Sequence, residues 1–204
     1  MSSLGKITST KHVLFMCCDI QEVFRDKIQF YNDVIDTGCT IMKIAEVFSI
    51  PVILTEQYPE KLGHTVHEIF SSRKDHGKNV KIIGKTKFSM VTEEVKKALG
   101  FWKRNEVNSV AIFGIEAHIC VLQSCLDLLD NGFEVFIIVD GVSSMRNVDR
   151  NIALKRLALM ERIHITTLES FTYQLLLDSN HPSFKVITSI MKEHNSKERK
   201  LGLF

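Results

Sequence analysis

"SVAIFGIEAHICVLQSCLDLLDNG", residues 109–132, joins a run of Val, Ile and Phe to a segment whose apolar residues recur at helical spacing. The run 109–114 reads as a strand buried on both faces, and residues 117–130 read as a helix with Gly132 where a C-terminal cap belongs. A strand that passes directly into a helix is half of a βαβ unit, and the rest of the chain repeats the alternation.

Five further strands are expected at residues 12–18 (HVLFMCC), 51–55 (PVILT), 79–83 (NVKII), 134–139 (EVFIIV) and 163–167 (IHITT). Helical spacing covers residues 30–48, 90–99, 149–161, 169–178 and 183–194, with Gly100 in a capping position and Pro182 opening the last helix. The pattern predicts one doubly wound, Rossmann-like α/β domain over residues 11–204, preceded by a flexible stretch at 1–10. Strand order is not readable from it.

Composition narrows the function classes. Of 204 residues 45% are hydrophobic and 25% charged, the balance of an ordinary globular domain. The formal charge of +2 and the mixing of 26 basic with 24 acidic residues give no electrostatic footprint for nucleic acid, and the basic stretch 192–200 reads as a solvated helix end. No apolar run reaches the ~20 residues of a membrane span, so no membrane partner is expected. Five cysteines without CxxC spacing suggest neither a disulfide framework nor a zinc cage, and a reducing, cytoplasmic setting follows. The first eleven residues are Ser/Thr-bearing and free of acids but lack Arg, which is a weak signature for mitochondrial import.

In open parallel sheets ligands bind beyond the carboxyl ends of the strands. Those positions hold Asp19 and Gln21, then Glu56, Gln57 and Tyr58, then Lys85, then Glu116 to Cys120, then Asp140, Ser143 and Ser144. A carboxylate, an amine and a thiol thus share one edge. A free thiol at ~8.5 is mostly protonated at neutral pH, so Cys120 as a nucleophile needs help from the helix start near Ala117 and from the cation of Lys85. Asp19 is then the base. The bland alternative for each is a buried thiol, a loop acceptor and a solvated lysine. His118 lies two residues from Cys120 and faces elsewhere on a helix, Cys125, Cys17 and Cys18 read as core, and His64 with His67 lack a third ligand at a convincing spacing. No GxGxxG or P-loop is present, and no metal or other cofactor is expected.

Three motifs in order, "CDIQ" with Asp19 and Gln21, "GKTKFSM" with Lys85, Phe88 and Ser89, and "GIEAHIC" ending in Cys120, resemble the isochorismatase-like cysteine hydrolases. "TEQYPEKLG" (55–63), "VDGVSSMRNVDR" (139–150), "HPSFK" (181–185) and the terminal "GLF" are most similar to the eukaryotic isochorismatase domain-containing proteins, a branch in which some relatives carry a mitochondrial-associated ribonuclease label. The resemblance runs from about Lys11 to the C-terminus. It implies a six-stranded parallel sheet with helices on both faces and a triad of Asp19, Lys85 and Cys120. It also implies a cis Ile115–Glu116 peptide, with the N–H groups of Glu116 and Cys120 as an oxyanion hole. The implied reaction is attack of Cys120 on a small amide or related acyl compound, and the implied assembly is a homo-oligomer. Gln21, Glu56, Tyr58, Phe88, His118, Ser143 and Ser144 are the expected pocket wall. Glu56 and Tyr58 stand where a nicotinamidase metal pattern would begin, which points away from zinc. The cysteine points away from hydrolysis of isochorismate itself. The competing class is a silent binding protein on the same scaffold, its TEQYP loop closed over the pocket.

Overall fold

The computed structural model of the chain describes residues 5–7, 9–72, 79–198 and 201. Residues 1–4 and 8 of the stretch expected to be flexible, and the terminal residues 202–204, lie outside the described residues.

Six strands form one parallel sheet: β1 (Val13–Cys18), β2 (Val52–Gln57), β3 (Val80–Lys85), β4 (Ser109–Gly114), β5 (Glu134–Val142) and β6 (Ile163–Thr166), in the order β3-β2-β1-β4-β5-β6. The helices are α1 (Tyr31–Phe48), α2 (Pro59–Leu62), α3 (His67–Ser71), α4 (Glu93–Arg104), α5 (Leu122–Asp130), α6 (Asn147–Ala158), α7 (Leu168–Leu176) and α8 (Phe184–Asn195). The chain winds outward from β1 in both directions, so the sheet reverses its order beside β1. That reversal is where a crevice opens in folds of this kind.

Strand alternation sorts β1 onto two cores. Val13, Phe15 and Cys17 pack toward α1, α7 and α8, while Leu14, Met16 and Cys18 pack toward α4, α5 and α6. Because β1 and β4 are sandwiched between helices, their continuous apolar sequences are fully buried. β3 departs from the expectation of double burial: as an edge strand it leaves Lys81 and Ile82 exposed. No described helix is long and apolar enough to cross a membrane.

The helix boundaries follow their capping chemistry. Gly132 has φ +80°; its N–H bonds to Leu129 and that of Phe133 to Leu128, a Schellman closure of α5 that only a left-handed residue completes. Gly100 is a correction. It lies inside α4, which starts at the Thr92 cap, whose side chain accepts from Val95 N–H, and runs on to Arg104. Val95 and Leu99 bury one face of that helix, and a single glycine costs only about 1 kcal/mol against alanine, too little to end it.

Candidate active site

β1 ends in Asp19, which adopts φ +51°, a left-handed conformation unusual for a residue with a side chain. The turn lifts its carboxylate above the sheet edge. Oδ1 accepts a hydrogen bond from the Thr55 hydroxyl at 2.7 Å, and Oδ2 accepts from the Lys85 ammonium at 2.6 Å. Register explains the meeting: Cys18 pairs with Thr55 across β1 and β2, and Gln57 pairs with Lys85 across β2 and β3.

Lys85 has no exposed side-chain surface. Its ammonium donates to Asp19, to the Gln57 side-chain oxygen at 2.5 Å and to the carbonyls of Phe88 at 2.9 Å and Lys87 at 3.2 Å; Cys120 Sγ lies 3.8 Å away. Burial opposes its charge, yet the neighbouring Cys18, Asp19 and Cys120 groups more than offset this and hold Lys85 above the ordinary lysine value.

Cys120 arrives from the other side of β1. At Gly114 (φ +118°) an added Cβ would stand 2.1 Å from the Cys18 carbonyl oxygen, so only glycine lets β4 close on β1 here. Ile115 N–H then donates to Cys18 O at 2.9 Å, the Ile115–Glu116 peptide is cis, and residues Ala117–Val121 form a π-helical turn before α5. Cys120 sits in that turn, 7% exposed. The fold therefore brings Asp19, Lys85 and Cys120 into one cluster.

The expected pocket residues divide. Phe88 and Tyr58 are exposed, 53% and 37%. His118 Nδ1 lies 3.0 Å from the Ser144 hydroxyl, and the Glu116 carboxylate accepts from Met145 N–H. Gln21, Glu56 and Ser143 have other employment. Gln21 is fully buried, takes Gln57 N–H on its Oε1 and donates to the carbonyls of Gln57 and Gly63. Glu56 accepts from the N–H and hydroxyl of Thr65 and lies 3.0 Å from His64. The Ser143 hydroxyl donates to Gln29 O. These three fix the loops that shape the crevice, with their polar atoms already spent on protein partners.

Two participants were not foreseen, Thr55 and Cys18; Gln57 was named among the strand-end residues, but not for its part in holding the Lys85 ammonium. The places of Thr55 and Gln57 follow from strand register, which a single sequence does not disclose. Cys18, read as core, donates from Sγ to Asp19 Oδ2 at 3.6 Å. Its sulfur, the Asp19 carboxylate and the Cys120 sulfur all lie within 4.8 Å of one another, the one such donor cluster among the described residues. That spacing suits a cation, but the Lys85 ammonium already sits against the Asp19 oxygen that would bind it. Burial pushes the Cys17, Cys18 and Cys125 thiols well above the ordinary range, so these three stay protonated.

Residues 13–169 match the isochorismatase domain. Isochorismatase family protein 1A of Dictyostelium discoideum is 43% identical over 195 residues, covering 95% of this chain and 92% of that protein. Among solved structures, the MAR1 ribonuclease of Caenorhabditis elegans superposes with a TM-score of 0.87 at 34% identity, covering 97% of each chain. YcaC of Escherichia coli, described as an octameric hydrolase of unknown specificity, shares the fold at a TM-score of 0.74 and 17% identity, covering 96% of this chain and 99% of that one.

Proposed function

The chain belongs to the isochorismatase-domain family, and on that premise we propose that it is a cysteine hydrolase of a small amide or related acyl compound, with Asp19, Lys85 and Cys120 as its catalytic residues. One observation carries the reading: a fully buried ammonium stands between a carboxylate at 2.6 Å and a thiol at 3.8 Å. A buried structural ion pair needs no thiol beside it; a nucleophile needs both a cation and a base.

In the proposed reaction the Cys120 thiol gives its proton to Asp19 and the thiolate is held by Lys85. Sulfur attacks the acyl carbon, and the N–H groups of Glu116 and Cys120 receive the developing oxyanion. Asp19 returns the proton to the departing amine, leaving a thioester. Asp19 then deprotonates water, which adds to the thioester and restores the thiol. Thr55 fixes one Asp19 oxygen and Gln57 fixes the lysine, so neither must reorganise during turnover. Tyr58 and Phe88 supply an apolar rim, and His118 with Ser144 a polar wall. The proposal includes a homo-oligomer and a cytoplasmic setting. It assigns the Caenorhabditis ribonuclease name no role here, because a thiol, an amine and a carboxylate are suited to acyl rather than phosphodiester chemistry.

The test is a panel of small amides, esters and a short RNA, run with the native chain and Cys120→Ala. Turnover of an acyl compound that disappears in the variant, whose circular dichroism stays native, is the expected result. Acyl turnover that survives the substitution overturns the reading. So does a panel in which RNA alone is cleaved, or one in which nothing turns over while both proteins bind one partner equally.

A further inference from the structure

Cys17 and Cys18 are neighbours in sequence with opposite surroundings. Cys17 points into the core beneath α1. Cys18 points to the other face, into the cluster that contains Cys120, and ends β1 directly beside Asp19. Of the five thiols, Cys18 and Cys120 alone share the donor cluster with Asp19. Cys125 also belongs to that core but is fully buried on α5 without a place in the cluster.

We infer that Cys18 and Cys120 form a peroxide-driven, reversible disulfide, with Cys120 oxidised first and Cys18 capturing it. The inference rests on the reading of Cys120 as a reactive thiol and adds a modification site to it.

The geometry favours the pairing. The two sulfurs lie within 4.8 Å, and a disulfide requires about 2.05 Å. A χ1 rotation moves either sulfur without breaking a backbone hydrogen bond, so the pairing of Cys18 at the end of β1 and the π-helical turn that carries Cys120 stay in place. The chemistry balances. Cys120 thiolate attacks a hydroperoxide, R–O–O–H, breaking the O–O bond to give Cys120 sulfenic acid and R–O⁻, which takes up a proton from solvent. Cys18 sulfur then attacks the sulfenic sulfur. Its thiol proton passes to Asp19 Oδ2, its existing hydrogen-bond partner, and on to the departing hydroxide, which leaves as water. The two thiols supply two electrons and the peroxide accepts them.

The arrangement separates the roles. Of the two thiols in the cluster, Cys120 is the one with exposed surface and the Lys85 cation within 3.8 Å, so it meets the oxidant. Cys18 is sealed at 0% exposure and protonated, so peroxide does not reach it; it reacts only once its neighbour is activated. Closing the bond removes the nucleophile from the triad, and a dithiol reductant restores it. Without Cys18, the sulfenic acid is exposed to a second oxidation to sulfinic acid, which thiols do not reverse.

The experiment treats the reduced full-length chain with graded hydrogen peroxide, blocks free thiols with N-ethylmaleimide and maps disulfides in the unreduced digest by mass spectrometry. Part of the reduced sample is labelled with iodoacetamide. The expected product is a Cys18–Cys120 link that dithiothreitol reverses, returning Cys120 labelling to its starting level. In Cys18→Ser and Cys18→Ala the same dose converts Cys120 to sulfinic acid and labelling is not recovered. A Cys120 that labels readily but goes to sulfinic acid without pairing, or that pairs with Cys17 or Cys125, overturns the inference and leaves the hydrolase reading standing. A Cys120 inert to both reagents overturns both. The link in the native chain is read without any variant, so a variant that fails to fold does not decide the outcome.

Discussion

Two buried cations sit at the carboxyl edge of this sheet, and they do different things. Lys85 ends β3 at 4% exposure, and Arg150 on α6 reaches back to β5 at 3% exposure. Arg150 spends Nε on the Val142 carbonyl at 2.7 Å and Nη2 on the Val139 carbonyl at 2.8 Å, stitching helix to strand end. Burial pulls its value down from that of an ordinary arginine, with Asp140 opposing, yet a guanidinium keeps its charge regardless. Lys85 is held the other way, above the ordinary lysine value. The difference lies in what the charge holds: strand-end carbonyls at Arg150, with Asp140 in its field, and a carboxylate at 2.6 Å with a thiol at 3.8 Å at Lys85. What sets Lys85 apart is the thiol: both cations have a carboxylate in their field, and Lys85 has Cys120 within 3.8 Å as well.

The largest separation of the two should be in activity. Lys85→Met and Cys120→Ala are expected to lower kcat/KM by roughly 10³-fold or more, as for members of a catalytic triad acting as a unit. Arg150→Met should leave kcat/KM per folded molecule unchanged. Steady-state rates normalised to native protein by circular dichroism check this, and equal losses in the Lys85 and Arg150 variants would erase the distinction.

Stability should order the variants differently. Arg150→Met strands the carbonyls of Val142 and Val139, each costing about 1–3 kcal/mol when unsatisfied, so urea unfolding should show a loss of about 2–6 kcal/mol. Lys85→Met leaves Asp19 buried without its counter-ion, a loss of about 3–5 kcal/mol. Adding Asp19→Asn removes that stranded charge. The double variant should regain about 1–3 kcal/mol over Lys85→Met while staying inactive. A double variant no more stable than the single one would mean that Asp19 is not paying for burial through Lys85.

The smallest effect belongs to a pair at the surface, buried Glu56 with exposed His64. Burial alone would raise the Glu56 carboxyl, but Thr65 and His64 hold it below its usual range, while Glu56 raises His64. A lowered carboxyl stabilises above the ordinary glutamate value and loses this as pH falls through the lowered one. A raised histidine stabilises below its ordinary value and loses this as pH rises through the raised one. The loop between β2 and α3 should therefore be tightest in weak acid, between those limits. Amide exchange at Thr65, flattened in His64→Ala, checks it.

Much of this was legible in the sequence because burial leaves a mark there. β1 and β4 show as apolar runs, VLFMCC and SVAIFG, and the positions following strands are where the sequence offered Asp19, Lys85 and Cys120, which the fold gathers into one cluster. What escaped depends on contacts between distant segments. Thr55 joins the cluster, and Gln57, already named at its strand end, reaches Lys85, through strand register. Cys18 joins through the parity of β1, which separates it from Cys17 although both read as apolar. Gln21 and Ser143 follow strands as a pocket wall should, but a residue at a strand end can equally bind backbone, and sequence does not say which. α2 and α3, at four and five residues, are too short to carry a helical period.

The central claim is that Lys85 activates Cys120, and the rate of Cys120 alkylation by iodoacetamide across neutral pH, resolved by peptide mass spectrometry, tests it most directly. The account predicts that Cys120 in the native chain labels faster than Cys18 or Cys125, slows sharply in Lys85→Met and is unchanged in Arg150→Met. A Cys120 as slow as the buried thiols, or one indifferent to the loss of Lys85, would contradict it.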